Sequence, residues 1–343
     1  MWLLDRPFTN TSSGKKSNPT SFQEKMVVYT IDAITEFGAS AIGMQYDLPL
    51  SIYKLREWNS AFGVRPEVCC DAWALIHAQA AHNGHSIKHF FWCLHFMRTY
   101  QVETECARSL QTNPKTLRER VKAMMKLLSC NMPQVVSFLC FFAHQGLVNP
   151  KLNSNCLLIY LFLQINWSMR QKNTKIGEKF TITVDGTHVL IEEVYLEDGK
   201  TPDPAYYSHK FNASALAYEV GVAIFSDNIV WINGPFPAGM SDLKIFNENG
   251  LSNLLSVCKE KAIGDSGYPS NFVSQKWEGS HDWKVAKSRF RARQESVNDR
   301  MKIFKCLQDR WRHDEELHGN TFRAVAFLTQ LSFQYNPLMD SLE

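Results

Sequence analysis

The nine cysteines of this chain include no CxxC pair, so the sequence mark of a zinc ribbon or a thioredoxin-like redox site is missing. The cysteine count is odd, and the N-terminal MWLLDRPFTNTSSGKK has too short an apolar stretch for secretion. Both features suit a reducing, intracellular compartment with free thiols. No apolar run approaches the roughly 20 residues that a bilayer span requires. The strongest run, Cys156–Ile165, reads as a buried strand or helix, and no membrane partner is expected. No nucleophile elbow is present to support a Ser-His-Asp hydrolase. The two signs of charge are nearly balanced, 37 Lys or Arg against 34 Asp or Glu. The net charge of +3 does not mark a nucleic-acid binder, so only a local concentration of charge could do so.

What is present is an ordinary globular balance, 45% hydrophobic and 21% charged, over 343 residues. That length allows two domains, or one large domain and a smaller module. Residues 1–21 are polar and rich in Ser, Thr and Asn, and read as a disordered arm. Residues 22–130 read as a helical module. Gly38 is expected to close its first helix and Gly63 to break a helix pair, while Pro114 suits the first position of a later helix. Residues 131–170 form a low-charge connection whose structure the pattern does not specify. From residue 171 to 338 the pattern changes. Phe180, Ile182 and Val184 alternate with polar residues around Asp185-Gly186, as in a strand. LAYEVGVAIF and NIVWING then read as a hairpin turning at Ser226-Asp227. A helix starts after Ser241 or Asp242, KAIGD is a short strand, and a basic helix covers about 288–309. This order predicts an α/β domain, a mixed sheet flanked by helices, behind an all-helical N-terminal module.

Three acids stand in informative contexts. Asp185 lies inside the first strand, Asp265 follows the apolar pair Ala262–Ile263 at a strand end, and Glu295 sits in the charged helix. Gathered carboxylates repel one another unless a cation offsets the cost. Hard oxygen ligands suit Mg²⁺ or Mn²⁺, and two such ions can drive phosphodiester chemistry. The same residues have bland readings: Asp265 can open a turn at Ser266-Gly267, and Glu295 can form a surface ion pair.

In this order, VDGTHVLIEE, HKFNASALAYEVGVAIFSDNIVWINGPFPAGMSDLKIF, AIGDSGYP and RARQESVNDRMKIF resemble the DDE superfamily endonuclease domain, nearest to Harbinger-type transposases and their domesticated nucleases. The resemblance spans roughly 170–338. It implies an RNase H-like fold with Asp185, Asp265 and Glu295 as a catalytic, metal-binding triad for two Mg²⁺ (or Mn²⁺) ions. It also implies double-stranded DNA as substrate, a homo-oligomer, a separate DNA-binding partner protein and, in a eukaryote, a nuclear location. The family often has His-Asp where this chain has Ser241-Asp242. Asp242 is therefore open to two readings, support for the site or a helix N-cap. The alternative function is a catalytically inactive, domesticated DNA-binding protein on the same fold.

Between His281 and His313 there are ten Lys or Arg against four Asp or Glu. A basic helix beside a metal carboxylate site suits a phosphate backbone, and a solvated charged face is the competing reading. Arg291, Arg293, Lys302 and Lys305 are the candidate phosphate contacts, with Lys210 a weaker one. Residues 103–128 read either as a helix-turn-helix offering Lys115, Arg118, Arg120 and Lys122 to DNA, or as a plain helical hairpin. His82, His85, His89 and Cys93 fall at helical spacing, where ordinary packing competes with a zinc site.

Overall fold

The computed structural model describes residues 29–131, 180–248, 250–268, 271–274 and 279–338. The arm expected at 1–21 and the low-charge connection, apart from Asn131, lie outside these residues. Six helices come first: α1 (Ile31–Ile42), α2 (Ile52–Phe62), α3 (Pro66–His82), α4 (Ile87–Thr99), α5 (Glu103–Ser109) and α6 (Pro114–Ser129). Four strands, two helices and two strands follow: β1 (Phe180–Leu190), β2 (Tyr207–Ser208), β3 (Ala213–Ala223), β4 (Ile229–Pro237), α7 (Asp242–Glu248), α8 (Leu251–Cys258), β5 (Lys261–Ile263) and β6 (Val273–Ser274). Three helices close the described chain: α9 (His281–Lys302), α10 (Lys305–Gln308) and α11 (Glu315–Ser332).

The strands form one mixed six-stranded sheet. β3 pairs antiparallel with β1 and β4, whereas β5 runs parallel to both β1 and β6. Long antiparallel strands on one side and short parallel strands on the other, with helices on both faces, fit an RNase H-like arrangement. The alternation of β1 assigns its faces. Thr183 hydrogen-bonds Gln294 of α9 at 2.8 Å, so Thr183 and Asp185 face α9. Ile182 and Val184 pack instead with Phe246, Leu251 and Leu255 of α7 and α8.

On the α9 face, α11 joins the sheet to the N-terminal helices. Tyr218 of β3 stacks on Phe322 of α11 with centroids 3.8 Å apart, and α11 packs in turn against α6. One hydrophobic cluster therefore runs from Ile34 and Trp58 through Met124 to Val220 and Phe322. The junction is also pinned by polar contacts. Arg312 Nη2 donates to the Tyr100 carbonyl at 2.6 Å, and its guanidinium lies 4.3 Å from the Tyr100 ring centre.

Three local expectations need correction. Gly38 does not end α1; Gly43 does, in the left-handed region with φ 67°. Gly38 is buried mid-helix, where a β-carbon would fall 2.2 Å from Trp58 Cη2, so its smallness serves packing. The helix after Ser241 is two helices, α7 and α8, separated at Gly250. The basic helix covers His281–Lys302, so it both starts and stops earlier than the 288–309 read from charge alone.

Candidate metal-carboxylate site

The parallel pairing of β1 with β5 builds the site. Thr183 is paired with Ile263, so Asp185, two residues on in β1, and Asp265, two residues past the end of β5, become neighbours. β5 ends at Ile263, and Asp265 then folds into a tight turn in which Gly267 N–H donates to its Oδ1 at 2.8 Å. The carboxylate and the turn readings of Asp265 are thus compatible. Asp185 receives a hydrogen bond from Asn298 Nδ2 of α9 at 2.8 Å.

Asp242 enters from the opposite face. Ser241, not Asp242, caps α7, its Oγ accepting from Lys244 N–H at 3.3 Å. Asp242 is thereby left to reach the sheet, where two glycines make room for it. A β-carbon at Gly186 would lie 2.3 Å from Asp242 Oδ1. One at Gly267 would lie 2.8 Å from Asp242 Oδ2 and 3.1 Å from Asp265 Oδ1. Gly186 follows Asp185 directly and Gly267 lies two residues after Asp265, so the backbone near each acid is kept open for a third. Gly186→Ala is expected to displace Asp242 and to cost about 1–3 kcal/mol of stability, as overpacked sites do. A thermal melt of that variant unchanged from wild type would show that Asp242 is not wedged there.

The electrostatics agree with this gathering. Burial first, and then the charges of Asp265 and Asp242, push the Asp185 carboxyl up to about 6. Burial and Asp265 likewise push Asp242 up. The neighbouring cations that oppose the shift of Asp185 are Arg291 and Lys210. Lys302 is half-buried beside them, and its ammonium is pulled down by burial and by Lys210.

Glu295 stands apart. It lies in α9, on the stripe Arg291, Glu295, Asn298 and Lys302 whose spacing of four, three and four residues makes one helical face. That face carries the Asn298 contact to Asp185, yet the Glu295 side chain is exposed. Among the described residues no three His, Cys, Asp or Glu side chains already converge as a metal-binding group.

The basic candidates divide. Lys210, Arg291 and Lys302 surround Asp185, and Lys305 is exposed just beyond α9. Arg293 is a correction: it is 4% exposed and held by Asp227 at 2.9 Å, turned inward by helical geometry that a list of charges does not reveal. In α6, Arg118 is paired with Glu103, Arg120 donates to the Gly84 carbonyl at 3.0 Å, and Lys122 meets Asp314 at 3.4 Å. Lys115 is exposed. The second helix of the suggested helix-turn-helix thus directs most of its cations to protein partners. His89 accepts from Ser86 N–H at 3.0 Å and Cys93 is fully buried, which suits packing at that histidine run.

Two functional candidates were missed in the sequence, Glu219 and Tyr268. Glu219 is 1% exposed on β3, directly across from Gly186. Burial, with Asp242 adding to it and the Trp231 hydrogen bond opposing it, pushes its carboxyl up to about 8. A lone acid within the apolar run LAYEVGVAIF was the available signal. Tyr268 is fully buried against Phe246 of α7.

No curated protein and no solved structure matches the chain. No helix among the described residues is long and apolar enough to cross a membrane. Residues 184–330, which contain Asp185, Asp242, Asp265 and Glu295, match the family model of the DDE superfamily endonuclease, and this match points to nuclease- or transposase-type function.

Proposed function

We propose that this chain is a divalent-metal-dependent nuclease or transposase acting on double-stranded DNA, of the Harbinger type. The observation that carries the reading is the adjacency of Asp185 and Asp265, set by the β1–β5 pairing, where burial and then the charge of Asp265 push the Asp185 carboxyl up. A cation relieves that repulsion, and an all-oxygen donor set suits Mg²⁺ or Mn²⁺. The residues present therefore fit the metal. Asp185 and Asp265 would hold it, with Glu295 as the third carboxylate and Asp242 in support. Two ions bound there would supply activation of the attacking oxygen and stabilisation of the leaving 3′-oxygen.

The rest of the site orients these groups. Asn298 fixes one oxygen of Asp185. Lys210, Arg291 and Lys302 place positive charge where a scissile phosphate and its neighbours would lie, which favours a polyanion over a neutral substrate. Action as a homo-oligomer, with a separate DNA-binding protein in a nucleus, completes the proposal.

The test is cleavage of a DNA duplex with Mg²⁺ or Mn²⁺ added and then chelated. Cutting that requires the metal supports the reading, and a preference for RNA or hybrid duplexes would redirect it. Duplex binding should weaken in Arg291→Gln and Lys302→Gln, with the slope of log affinity against log salt falling by about 1 for each. Unchanged slopes would remove these residues from the DNA interface.

A second reading has its own support. Glu295 is exposed, and no three ligand groups have converged among the described residues. A catalytically inactive DNA-binding protein on the same fold would show both features. It would bind duplex normally after Asp265→Ala and would cut nothing before it.

A further inference from the structure

Below the acids, on the face covered by α7, two buried oxygens lack hydrogen-bond partners among the described residues. One is the hydroxyl of Tyr268, which is 0% exposed. The other is Oε1 of Glu219; its Oε2 accepts from Trp231 Nε1 at 2.8 Å. A buried polar atom left in this state has lost water and gained nothing, so native proteins keep few of them and each calls for an explanation.

These two belong to one place. Burial first, and then the charges of Glu219, Asp242, Asp185 and Asp265, push the Tyr268 hydroxyl up. Glu219 faces Gly186 across the strand pair, so their side-chain positions adjoin. Asp242 Oδ1 occupies the position of the side chain that Gly186 lacks. The Tyr268 ring is held by Phe246 at 5.7 Å, and Gly264 leaves room for its edge. A ring fixed in this way keeps its hydroxyl out of solvent.

We propose that Tyr268 and Glu219 are positioning residues of the divalent-metal site, whose two oxygens, unpaired here, become hydrogen-bonded and hold Asp242 at the Gly186 and Gly267 backbone when Asp185 and Asp265 take up the cation. The inference rests on the metal-dependent reading above. Neither residue touches substrate or metal. Both act through Asp242, and Trp231 anchors the layer from the far side. Groups behind metal ligands commonly contribute about 10- to 100-fold to affinity.

The test is calorimetric Mn²⁺ titration of the full chain with a DNA duplex present throughout, alongside thermal melts without metal. Wild type, Tyr268→Phe, Glu219→Leu and Glu219→Gln are compared. Tyr268→Phe removes only an unpaired hydroxyl, so the metal-free melt should hold or rise, while Mn²⁺ affinity falls about tenfold. Glu219→Leu should lose affinity similarly. Glu219→Gln should keep it within about threefold, because the amide can accept from Trp231 and donate onward. Wild-type affinity in both Tyr268→Phe and Glu219→Leu overturns the inference and leaves the metal-dependent reading standing. Affinity loss that only follows a lowered metal-free melt also overturns it, as that is a packing effect. A wild type that takes up no Mn²⁺ overturns both.

Discussion

Replacing Asp185 and Asp265 together by asparagine is expected to abolish divalent-metal uptake and to lower DNA cleavage by about a thousandfold or more. The size follows from the several kcal/mol that a bound cation contributes to the transition state, each 1.36 kcal/mol being a factor of ten. The double variant should also fold at least as well as the wild type. Like charges crowd these residues, and burial already pushes Asp185 up to about 6. Asparagine keeps the shape and removes the repulsion. Calorimetry with Mn²⁺ and a thermal melt together check this. Retained metal binding in the double variant would place the site elsewhere, whereas a collapsed melt would make the acids structural.

The same group gives metal uptake a pH dependence. A cation competes with the proton that Asp185 holds below about 6, so affinity should be weak at pH 5 and rise toward pH 7. Below that value the fall should approach tenfold per pH unit if one proton is displaced. Wild-type affinity that stays flat from pH 5 to 7 would show that the metal does not engage Asp185.

Much of this site was legible because strand pattern and chemistry coincide in the sequence. Asp185 interrupts an alternating strand and Asp265 follows a short apolar one, so each could be placed on its element before pairing was known. Which strands pair is a long-range matter, and only the β1–β5 register makes the two acids neighbours. Residues acting from the opposite face were harder to see. Asp242 resembled a cap because Ser241 and Asp242 are both good caps; the choice depends on which side chain the backbone of Lys244 meets. Arg293 looked like a surface cation because charge was counted along the chain. Asp227, in the hairpin turn sixty-six residues earlier, holds it inside. The exposed face of α9 and the buried role of α6 likewise depend on how α11 docks, which no local pattern encodes.

The second large effect is on stability, and it comes from Glu219. In the unfolded chain this residue ionises like any glutamate, near 4.5, whereas burial in the folded protein pushes its carboxyl up to about 8. Between those values the folded protein holds a proton that the unfolded chain has released. Raising the pH therefore favours unfolding, and the Glu219 contribution to stability, complete below about 4.5, is lost as pH rises through about 8. The full loss is on the order of 3–5 kcal/mol. Asp185 adds a loss of the same sign, confined to the range from 3.8 to about 6. Buried histidines act oppositely: His318 and His89 are pulled down to about 3 and about 4, so they weaken the fold as acid protonates the unfolded chain. The wild-type curve sums these opposed slopes, and the difference between two variants is the clearer measure. Glu219→Gln keeps the Trp231 hydrogen bond and does not titrate. Its denaturation midpoint should match the wild type near pH 4, exceed it at pH 6.5 and exceed it most at pH 8. Parallel wild-type and variant curves across that range would mean that Glu219 is ionised in the folded protein at neutral pH, which would in turn require a cation or donor at its unpaired oxygen.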